Sequence, residues 1–189
     1  MNQPDLLTQL QQGDEAAYKK LVEECQDMVY NTVLGIVQNE DAADDITQEV
    51  FIQVYQSAIK FKGESKLSTW LYRIAINRAL DYEKKRKRKK NWGFVQRIWG
   101  GADDDTMNIT DFHHPGIAIE QKESAVHLFV SLKKIPDKQR IAFTLHKLEG
   151  LSHQEIATVM DTSVAAVESL MTRAKAALKK DLEVFYKNR

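Results

Sequence analysis

The sequence predicts an all-α protein made of two small helical domains joined by a linker, with a helix-turn-helix as the C-terminal domain. Apolar residues recur every three or four positions along most of the chain, and only 3 prolines interrupt its 189 residues. The segment between the two periodic parts is rich in glycine and aspartate, which is typical of a linker. We therefore expect the first domain at residues 1–90, the linker at 91–122 and the second domain at 123–189.

Three helices are expected in the first two-thirds of the first domain. The segment Asp5–Gln12 predicts a short helix that ends at Gly13, and Asp14 can cap a long helix through Gln38. A buried stripe on the long helix comprises Leu21, Cys25, Met28, Thr32 and Ile36. The next helix begins at Asp41, and its inner arc contains Ala43, Ile46, Val50, Val54 and Phe61.

The outer arc of this third helix combines acidic and apolar residues. It contains Asp41, Asp44, Asp45, Gln48 and Ile52, with Tyr55 beside them. Carboxylates at a helix N-terminus oppose the helix dipole, which accounts for two of these acids but not for Ile52 and Tyr55. An acidic patch with apolar neighbours predicts a docking surface for a basic protein partner.

The formal net charge of zero results from cancellation along the chain. Residues 1–60 carry 3 basic and 11 acidic side chains, whereas residues 61–90 carry 11 basic and 3 acidic ones. The two segments therefore have net charges of −8 and +8. Residues 91–122 have a net charge of −3 and residues 123–189 one of +3. This layout indicates partners of both signs.

The segment Phe61–Lys90 places aromatic and cationic side chains on one helix face. It begins with a polar loop around Gly63 and ends in seven consecutive basic residues, 84–90. One side of the helix carries Leu71, Ala75, Ala79 and Tyr82, and the other carries Lys66, Trp70, Arg73, Asn77 and Lys84. Cations attract phosphates and an indole stacks on bases, so this face predicts a site for unstacked nucleotides. The alternative is a tryptophan that folds back onto the core.

The linker contains side chains that invite other interpretations. Trp92, Phe94, Ile98 and Trp99 lie among three glycines, ahead of the acidic cluster 103–105. His113 and His114 are adjacent, but the other histidines do not fall at zinc-ligand spacing, and the chain has a single cysteine. No metal site is predicted.

Helical periodicity resumes at about Glu120. Pro136 suits the first turn of a helix whose apolar positions end at Gly150, where a left-handed residue is expected. Ser152 and Glu155 then form a capping box for a short helix.

A second short helix follows, and the pair forms a helix-turn-helix. The break is at Asp161–Thr162, after which Ser163 can cap the second helix. Its inner arc contains Val164, Val167, Met171, Ala174 and Leu178, and its outward positions are Ala165, Ala166, Ser169, Thr172, Arg173 and Ala176. A small, polar outward face can enter a DNA major groove closely, although similar helix pairs also occur in cores that never touch DNA.

Several classes of protein are disfavoured by the sequence. The lone Cys25 excludes an internal disulfide and predicts a core thiol in a reducing compartment. The chain lacks a basic-then-apolar leader and any apolar run near the roughly 20 residues that span a bilayer, so we expect a cytoplasmic protein without membrane insertion. No phosphate loop, nucleophile–base pair or metal cage is recognisable, so we expect no catalysis and no cofactor.

Two long runs together resemble a known family. These runs are DAADDITQEVFIQVYQSAIKFKGESKLSTWLYRIAINRALDYEKKRKRK and, later, IPDKQRIAFTLHKLEGLSHQEIATVMDTSVAAVESLMTRAKAAL. They are similar to the two conserved regions of bacterial RNA polymerase sigma factors of the extracytoplasmic-function (ECF) type. The resemblance covers both expected domains and implies a transcription initiation factor. Its first domain would bind the clamp helices in the largest subunits of RNA polymerase core and open the minus-10 promoter element. Its second domain would read the minus-35 element as duplex DNA, and an anti-sigma factor is a further candidate partner.

By position, the resemblance implies roles for three groups of residues. The polymerase-binding group is Asp41, Asp44, Asp45, Gln48, Glu49, Phe51 and Ile52. The minus-10 group has a base-capturing loop of Phe61, Lys62, Gly63, Glu64, Ser65 and Lys66. Its strand-opening helix carries Trp70, Arg73, Asn77 and Arg78, followed by the basic residues Lys84, Lys85 and Arg86. The minus-35 group is Ser163, Ala165, Ala166, Glu168, Ser169, Thr172, Arg173 and Lys175.

The sequence departs from the family pattern in the second region. Family members often have glycine at the position of Asp161, and frequently lysine and arginine at the positions of Glu168 and Leu170. The family linker usually threads through polymerase, and the acidic cluster 103–105 would suit such a basic channel.

Two hypotheses from other classes remain. A stand-alone helix-turn-helix regulator would bind duplex operator tightly by itself and would normally dimerise. A helical adaptor that binds only protein would show no salt-dependent DNA binding.

Overall fold

The computed structural model describes residues 3–98 and 122–187, and every regular element in that part of the chain is helical. The first half contains α1 (Gln3–Gln11), α2 (Glu15–Val37), α3 (Glu40–Ser57), a 3₁₀ turn (Ala58–Lys60) and α4 (Leu67–Ile98). The second half contains α5 (Lys122–Lys134), α6 (Asp137–Lys147), α7 (His153–Val159) and α8 (Val164–Lys187). The predicted all-α class is therefore confirmed.

Helices α2, α3 and α4 form a three-helix core against which α1 packs. Asp14 Oδ1 accepts hydrogen bonds from the backbone N–H groups of Ala16 and Ala17, at 2.8 and 3.1 Å, which starts α2 as predicted. The predicted inner arc of α3 is buried at Ala43, Ile46, Val50 and Val54, whereas Phe61 is only half-buried. Of the stripe predicted on α2, Leu21, Thr32 and Ile36 are buried, and Cys25 and Met28 are half-buried against the core.

The C-terminal part of α2 is buried on all sides, which a single apolar stripe did not predict. Residues 32–38 are all buried because α6 of the second half packs on the side opposite α3 and α4. A Cβ added to Gly35 would lie only 2.6 Å from Thr144 Cγ2 and 3.2 Å from Leu148 Cδ1. The two helices therefore approach this closely because Gly35 has no side chain.

Helix α4 continues to Ile98, eight residues past the expected end of the first domain. Lysine and arginine are good helix formers, no proline occurs between Leu67 and Ile98, and one glycine costs only about 1 kcal/mol. The helix therefore crosses Gly93 into the segment expected to be linker. The domain boundaries remain predictions, and Trp99, the cluster 103–105, His113 and His114 lie outside the described residues.

The second half contains the predicted helix-turn-helix, formed by α7 and α8. Ser152 Oγ accepts from Glu155 N at 3.3 Å and Ser152 N donates to Glu155 Oε2 at 3.0 Å, which completes the capping box. Ser163 Oγ accepts from Ala166 N at 3.2 Å at the start of α8. The predicted inner arc of α8 is buried at Val167, Met171, Ala174 and Leu178 and half-buried at Val164.

The turns of this half also follow the expected chemistry, with one shift. Gly150 has a φ of +71°, the left-handed conformation that was expected there. Leu151 N donates to Leu145 O at 3.0 Å, so the chain turns away from the axis of α6 at this point. Pro136 lies at the N-cap position, one residue before the first turn of α6. Asp161, at the position where the family often has glycine, has a φ of +50°.

Within residues 3–98 and 122–187, no helix combines the length and apolar character needed to cross a bilayer. The side chains described there also form no group of three or more potential metal ligands. His146 and His153 lie with ring centroids 4.9 Å apart, and His146 Nδ1 lies 2.9 Å from the carbonyl oxygen of Leu151.

Candidate nucleic-acid and protein interfaces

An exposed face of α3 carries both carboxylates and apolar side chains. Its members, called the acidic face below, are Asp41, Asp44, Asp45, Gln48, Glu49, Ile52 and Tyr55, and all of them are exposed. Ile52 is 56% and Tyr55 52% exposed, which is unusual for large apolar side chains beside charges. The charge is negative, and Ile52 and Tyr55 stay largely exposed although the Tyr55 ring packs edge to face on Tyr18 at 5.1 Å. The surface is therefore suited to a basic partner that also buries apolar area.

Two residues change the predicted composition of this surface. Phe51, matched to the polymerase-binding group, is only 6% exposed and belongs to the core. Its placement supports a packing role instead of a direct contact. Ile59, in the 3₁₀ turn that follows α3, is a further large apolar side chain that is 71% exposed, and the sequence pattern does not mark it. A single isoleucine after the helix carries no periodic signal that marks it as exposed.

The loop 61–66 is followed by an aromatic stack. The rings of Phe61 and Trp70 are parallel within 15°, with their centroids 4.5 Å apart, and both side chains are half-buried. One face of the indole is therefore covered by the Phe61 ring, and both side chains also pack against the core, as the alternative interpretation of Trp70 expected. Gly63 has a φ of +71°, which a glycine adopts without strain. Lys62, Gly63, Glu64 and Lys66 are exposed and Ser65 is half-buried.

The polar residues predicted on α4 differ in what they contact. Asn77 is exposed. Arg78 is turned toward α3, where its Nε donates to Gln53 Oε1 at 2.8 Å and its Nη1 lies 3.5 Å from Glu49 Oε2. Arg73 is turned toward the second half of the molecule. The predicted cationic face is thus partly engaged within the protein.

The first residues of the basic run 84–90 also form ion pairs within the protein. Arg86 Nη2 lies 3.0 Å from Oε2 of Glu83, a carboxylate that is only 2% exposed. Lys84 pairs with Asp81 at 3.2 Å, and Lys87 lies 3.3 Å from Asp137 at the start of α6. Lys85 is exposed. Among the three basic residues predicted to contact DNA here, Lys84 and Arg86 form ion pairs within α4.

The two halves meet along a polar seam, called the domain contact below. Arg73 Nη2 donates to Thr158 O at 2.6 Å and its Nε to Val159 O at 3.3 Å, both near the C-terminus of α7. Tyr72 donates to Glu149 Oε2 at 3.3 Å, and Lys66 lies 3.9 Å from Glu155. The packing of α2 on α6 at Gly35 continues the same contact.

Glu149 is the titratable group most affected by this contact. Burial raises the pKa of its carboxyl to about 7, and the hydrogen bond from Tyr72 opposes part of that rise. Burial also raises the pKa of the Tyr72 hydroxyl, with the Glu149 charge as the next cause. A carboxyl that takes up a proton near neutral pH therefore lies between the two halves.

The N-terminal part of α8 presents the surface predicted to read DNA. Ser163, Ala165, Glu168, Ser169, Thr172, Arg173 and Lys175 are exposed, and Ala166 is half-buried. Thr172 Oγ1 donates to Glu168 O at 2.9 Å, and Glu168 Oε1 lies 3.9 Å from His153 Nδ1. Small side chains dominate, so the helix can approach a groove closely, with Arg173 and Lys175 as its cations.

Two family models match separate parts of the chain. Residues 21–89 match the family model of Sigma-70 region 2, and residues 130–178 match that of Sigma-70, region 4. The chain is 33% identical over 178 residues to the RNA polymerase sigma-H factor of Pseudomonas aeruginosa, covering 94% of this chain and 92% of that protein. It is also 33% identical over 173 residues to the ECF RNA polymerase sigma-E factor of Escherichia coli K12, covering 92% and 90%.

Solved structures share the fold at lower sequence identity. CnrH, solved in complex with the cytosolic domain of CnrY, aligns with a TM-score of 0.68 at 21% identity, covering 96% of this chain and 97% of that one. The sigma factor RpoE, solved with the anti-sigma factor NepR from Bartonella quintana, aligns with a TM-score of 0.62 at 18% identity, covering 88% and 97%. The chain belongs to the extracytoplasmic-function family of RNA polymerase sigma factors, the transcription initiation factors that direct RNA polymerase to promoters.

Proposed function

We propose that this sigma factor divides its work among three surfaces and has no catalytic activity of its own. The acidic face of α3 binds the clamp helices of RNA polymerase core. Loop 61–66 and α4 capture and open the minus-10 element, and the N-terminal part of α8 binds the minus-35 element as duplex. The assignment of individual residues follows the family resemblance, and burial and contacts refine it.

The observation that carries the proposal is the composition of the acidic face. Exposed carboxylates alone could serve to cap α3, because Glu40 and Asp41 lie in its first turn. The helix dipole does not explain exposed Ile52, Tyr55 and Ile59, although the Tyr55 ring meets Tyr18 edge to face at 5.1 Å. Burying the apolar area that each of them still exposes would remove it from water. A partner that offers both positive charge and apolar contacts accounts for both features.

The contacts also refine which residues take part. Asp44 and Asp45 are exposed on the acidic face, whereas Glu49 already pairs with Arg78. Phe51 supports the face from inside the core. Asp44 and Asp45 are therefore the residues to change when polymerase binding is tested.

Reversal of both charges, Asp44→Lys with Asp45→Lys, should abolish co-purification with core polymerase. Like charges would then meet across the interface, at a cost of several kcal/mol. The matched control is Glu23→Lys with Asp27→Lys, which reverses two exposed charges on α2. Helical content should be unchanged in both variants, and run-off transcription from a genomic promoter library should fail only for the first. Equal binding by the two variants would contradict the proposal.

A DNA-binding measurement with and without core polymerase separates this proposal from the two other hypotheses. A stand-alone regulator would bind duplex DNA tightly without polymerase, and an adaptor would bind no DNA at any salt concentration. The sigma proposal expects promoter binding that depends on added core polymerase.

Trp70→Ala tests the strand-opening role separately. The indole should stack on an unpaired base and contribute about 1–3 kcal/mol, which helps to offset the cost of unpairing. The variant should form fewer open complexes on duplex promoter but lose less on a template already mismatched at minus-10. Equal losses on both templates would indicate that Trp70 acts only by packing on Phe61.

We also propose a cytoplasmic location, where polymerase and promoters are, and an anti-sigma factor as a further partner. The fold shared with RpoE, which was solved with the anti-sigma factor NepR, supports this second point.

A further inference from the structure

The loop 61–66 has little hydrogen bonding of its own. Its backbone is tied to the preceding turn by Phe61 N, which donates to Ala58 O at 3.1 Å, and to α4 by Trp70 N, which donates to Lys66 O at 3.2 Å. The Ser65 hydroxyl donates only to the neighbouring Lys66 O, at 3.4 Å. The conformation of the residues between these ties must therefore be held from outside the loop.

Helix α1 lies against this loop and supplies that support. Gln11 Nε2 donates a half-buried hydrogen bond of 2.7 Å to the carbonyl oxygen of Phe61. A Cβ added to Gly63 would lie 3.2 Å from Leu7 Cδ2, so the loop backbone also runs close to the α1 side chains. Leu6 and Leu10 are 7% and 5% exposed and anchor α1 to the core.

The hydrogen bond from Gln11 and the stack with Trp70 share one residue, Phe61. Gln11 fixes the carbonyl of Phe61, and the ring of the same residue lies parallel to Trp70 at 4.5 Å. A base that stacks on Trp70 or enters the loop meets a surface whose shape depends on where Phe61 lies. Helix α1 is outside residues 21–89, the range matched by the region 2 family model.

We propose that Gln11 is a positioning residue for minus-10 recognition: it fixes Phe61, and through Phe61 it sets the shape of the site for the unpaired base. The inference rests on the proposed function, because it assumes that loop 61–66 and Trp70 receive the base. Gln11 itself touches no DNA in this mechanism. Its loss should therefore alter base preference and strand opening but leave polymerase binding intact.

The test compares Gln11→Met with Gln12→Met. Methionine is close to glutamine in length and helix propensity but has no N–H to donate, and Gln12 is the exposed residue directly after α1. Each full-length protein is assembled with core polymerase on a duplex promoter selected with the wild type. Two further kinds of template are used. One is the same promoter with a mismatched minus-10 segment, and the other is a series of promoters that carry each of the four bases at the captured position.

For Gln11→Met we expect open complexes on duplex promoter to fall by about two- to tenfold, the range that one hydrogen bond contributes. The preference among bases at the captured position should flatten, while polymerase binding matches that of Gln12→Met and the melting temperature falls by no more than the few degrees that one hydrogen bond contributes. The inference is overturned if Gln11→Met keeps the wild-type base preference, or if its only change is a lower melting temperature. If the wild type itself opens no promoter with core polymerase, the proposed function fails and this inference fails with it.

Discussion

Arg73 donates a 2.6 Å hydrogen bond to the carbonyl oxygen of Thr158, across the contact between the two halves of the protein. The accepting carbonyl lies near the C-terminus of α7, where a guanidinium also meets the negative end of the helix dipole. Arg73 belongs to the strand-opening group of the proposed minus-10 site. Its Nε and Nη2 are engaged by α7 carbonyls, so the closed domain contact leaves fewer of its N–H groups for a promoter phosphate and restrains where the guanidinium can lie.

A disulfide across the domain contact should therefore block promoter opening. The γ atoms of Thr144 lie 2.6 and 3.2 Å from the ideal Cβ of Gly35, within reach of a disulfide whose Cβ atoms lie about 3.5–4.5 Å apart. We expect Gly35→Cys with Thr144→Cys, in a Cys25→Ser background, to be inactive in run-off transcription when oxidised. A reductant should restore activity.

Thr144→Cys alone serves as the control, because it leaves the close approach at Gly35 unchanged, and it should respond to neither oxidant nor reductant. Small-angle scattering checks that the oxidised protein keeps the dimensions of the closed form. Full activity of the cross-linked protein would show that the two halves need not separate at Gly35 and Thr144 for initiation.

Lower pH should strengthen the domain contact. Burial raises the pKa of Glu149 from 4.5 to about 7, and we expect opening of the contact to expose this carboxyl to water, so that closing the contact takes up a proton. The stability from this group is fully present below pH 4.5 and is lost as pH rises through about 7. Distances between fluorescent labels on α3 and α8 should report more closed protein at about pH 5 than at pH 8.

Glu149→Gln is the control for this dependence, because it keeps the shape of the side chain and removes the titration. Other groups that titrate in this range remain in both proteins, so only the difference between them is assigned to Glu149. An identical pH response in the two proteins would contradict the prediction.

Replacing Asp161 with glycine should stabilise the helix-turn-helix. Asp161 has a φ of +50° and is exposed, so its Cβ is strained by the backbone without any burial to compensate. We expect Asp161→Gly to raise the free energy of unfolding by about 1 kcal/mol and the melting temperature by about 2–4 °C. Thr162→Gly, at an exposed neighbour without positive φ, should lower both, and a lower melting temperature for Asp161→Gly would oppose this account.

Arg173→Ala should weaken minus-35 binding to all promoter variants by a similar factor. Arg173 is exposed about three turns into α8, while base edges are usually met near the N-terminal end of a recognition helix. A phosphate anchor carries little sequence information, whereas a base-reading arginine would cost roughly 1–3 kcal/mol at one position. A promoter-variant binding series decides between the two, with Lys179→Ala, which pairs with Glu183 on the same helix, as the control.

Local patterns predicted the elements and their buried faces well. Asp14, Ser152 and Ser163 marked helix starts because a short polar side chain can bond the free N–H groups of a first turn. The apolar arcs of α3 and α8 marked their buried faces because both helices have a single packed side. The two runs of sequence that carried the family resemblance lie within the matched regions 21–89 and 130–178.

Other features depend on which elements meet, and the sequence contains no local signal for that. Residues 32–38 are buried all round only because α6 covers the second side of α2. Phe51 is in the core and Ile59 at the surface although both are large and apolar, because neighbouring helices cover one and not the other.

The sequence by itself determined the helical class, the helix starts, the separation of acidic from basic surface and the family. Each of these follows from interactions between residues close in the chain, or from composition along it. Only the tertiary structure decided that Arg73 bonds to α7, that Gln11 holds Phe61 and that Glu149 is buried against Tyr72. These pairs are separated by 85, 50 and 77 residues, so they form only when whole helices pack together.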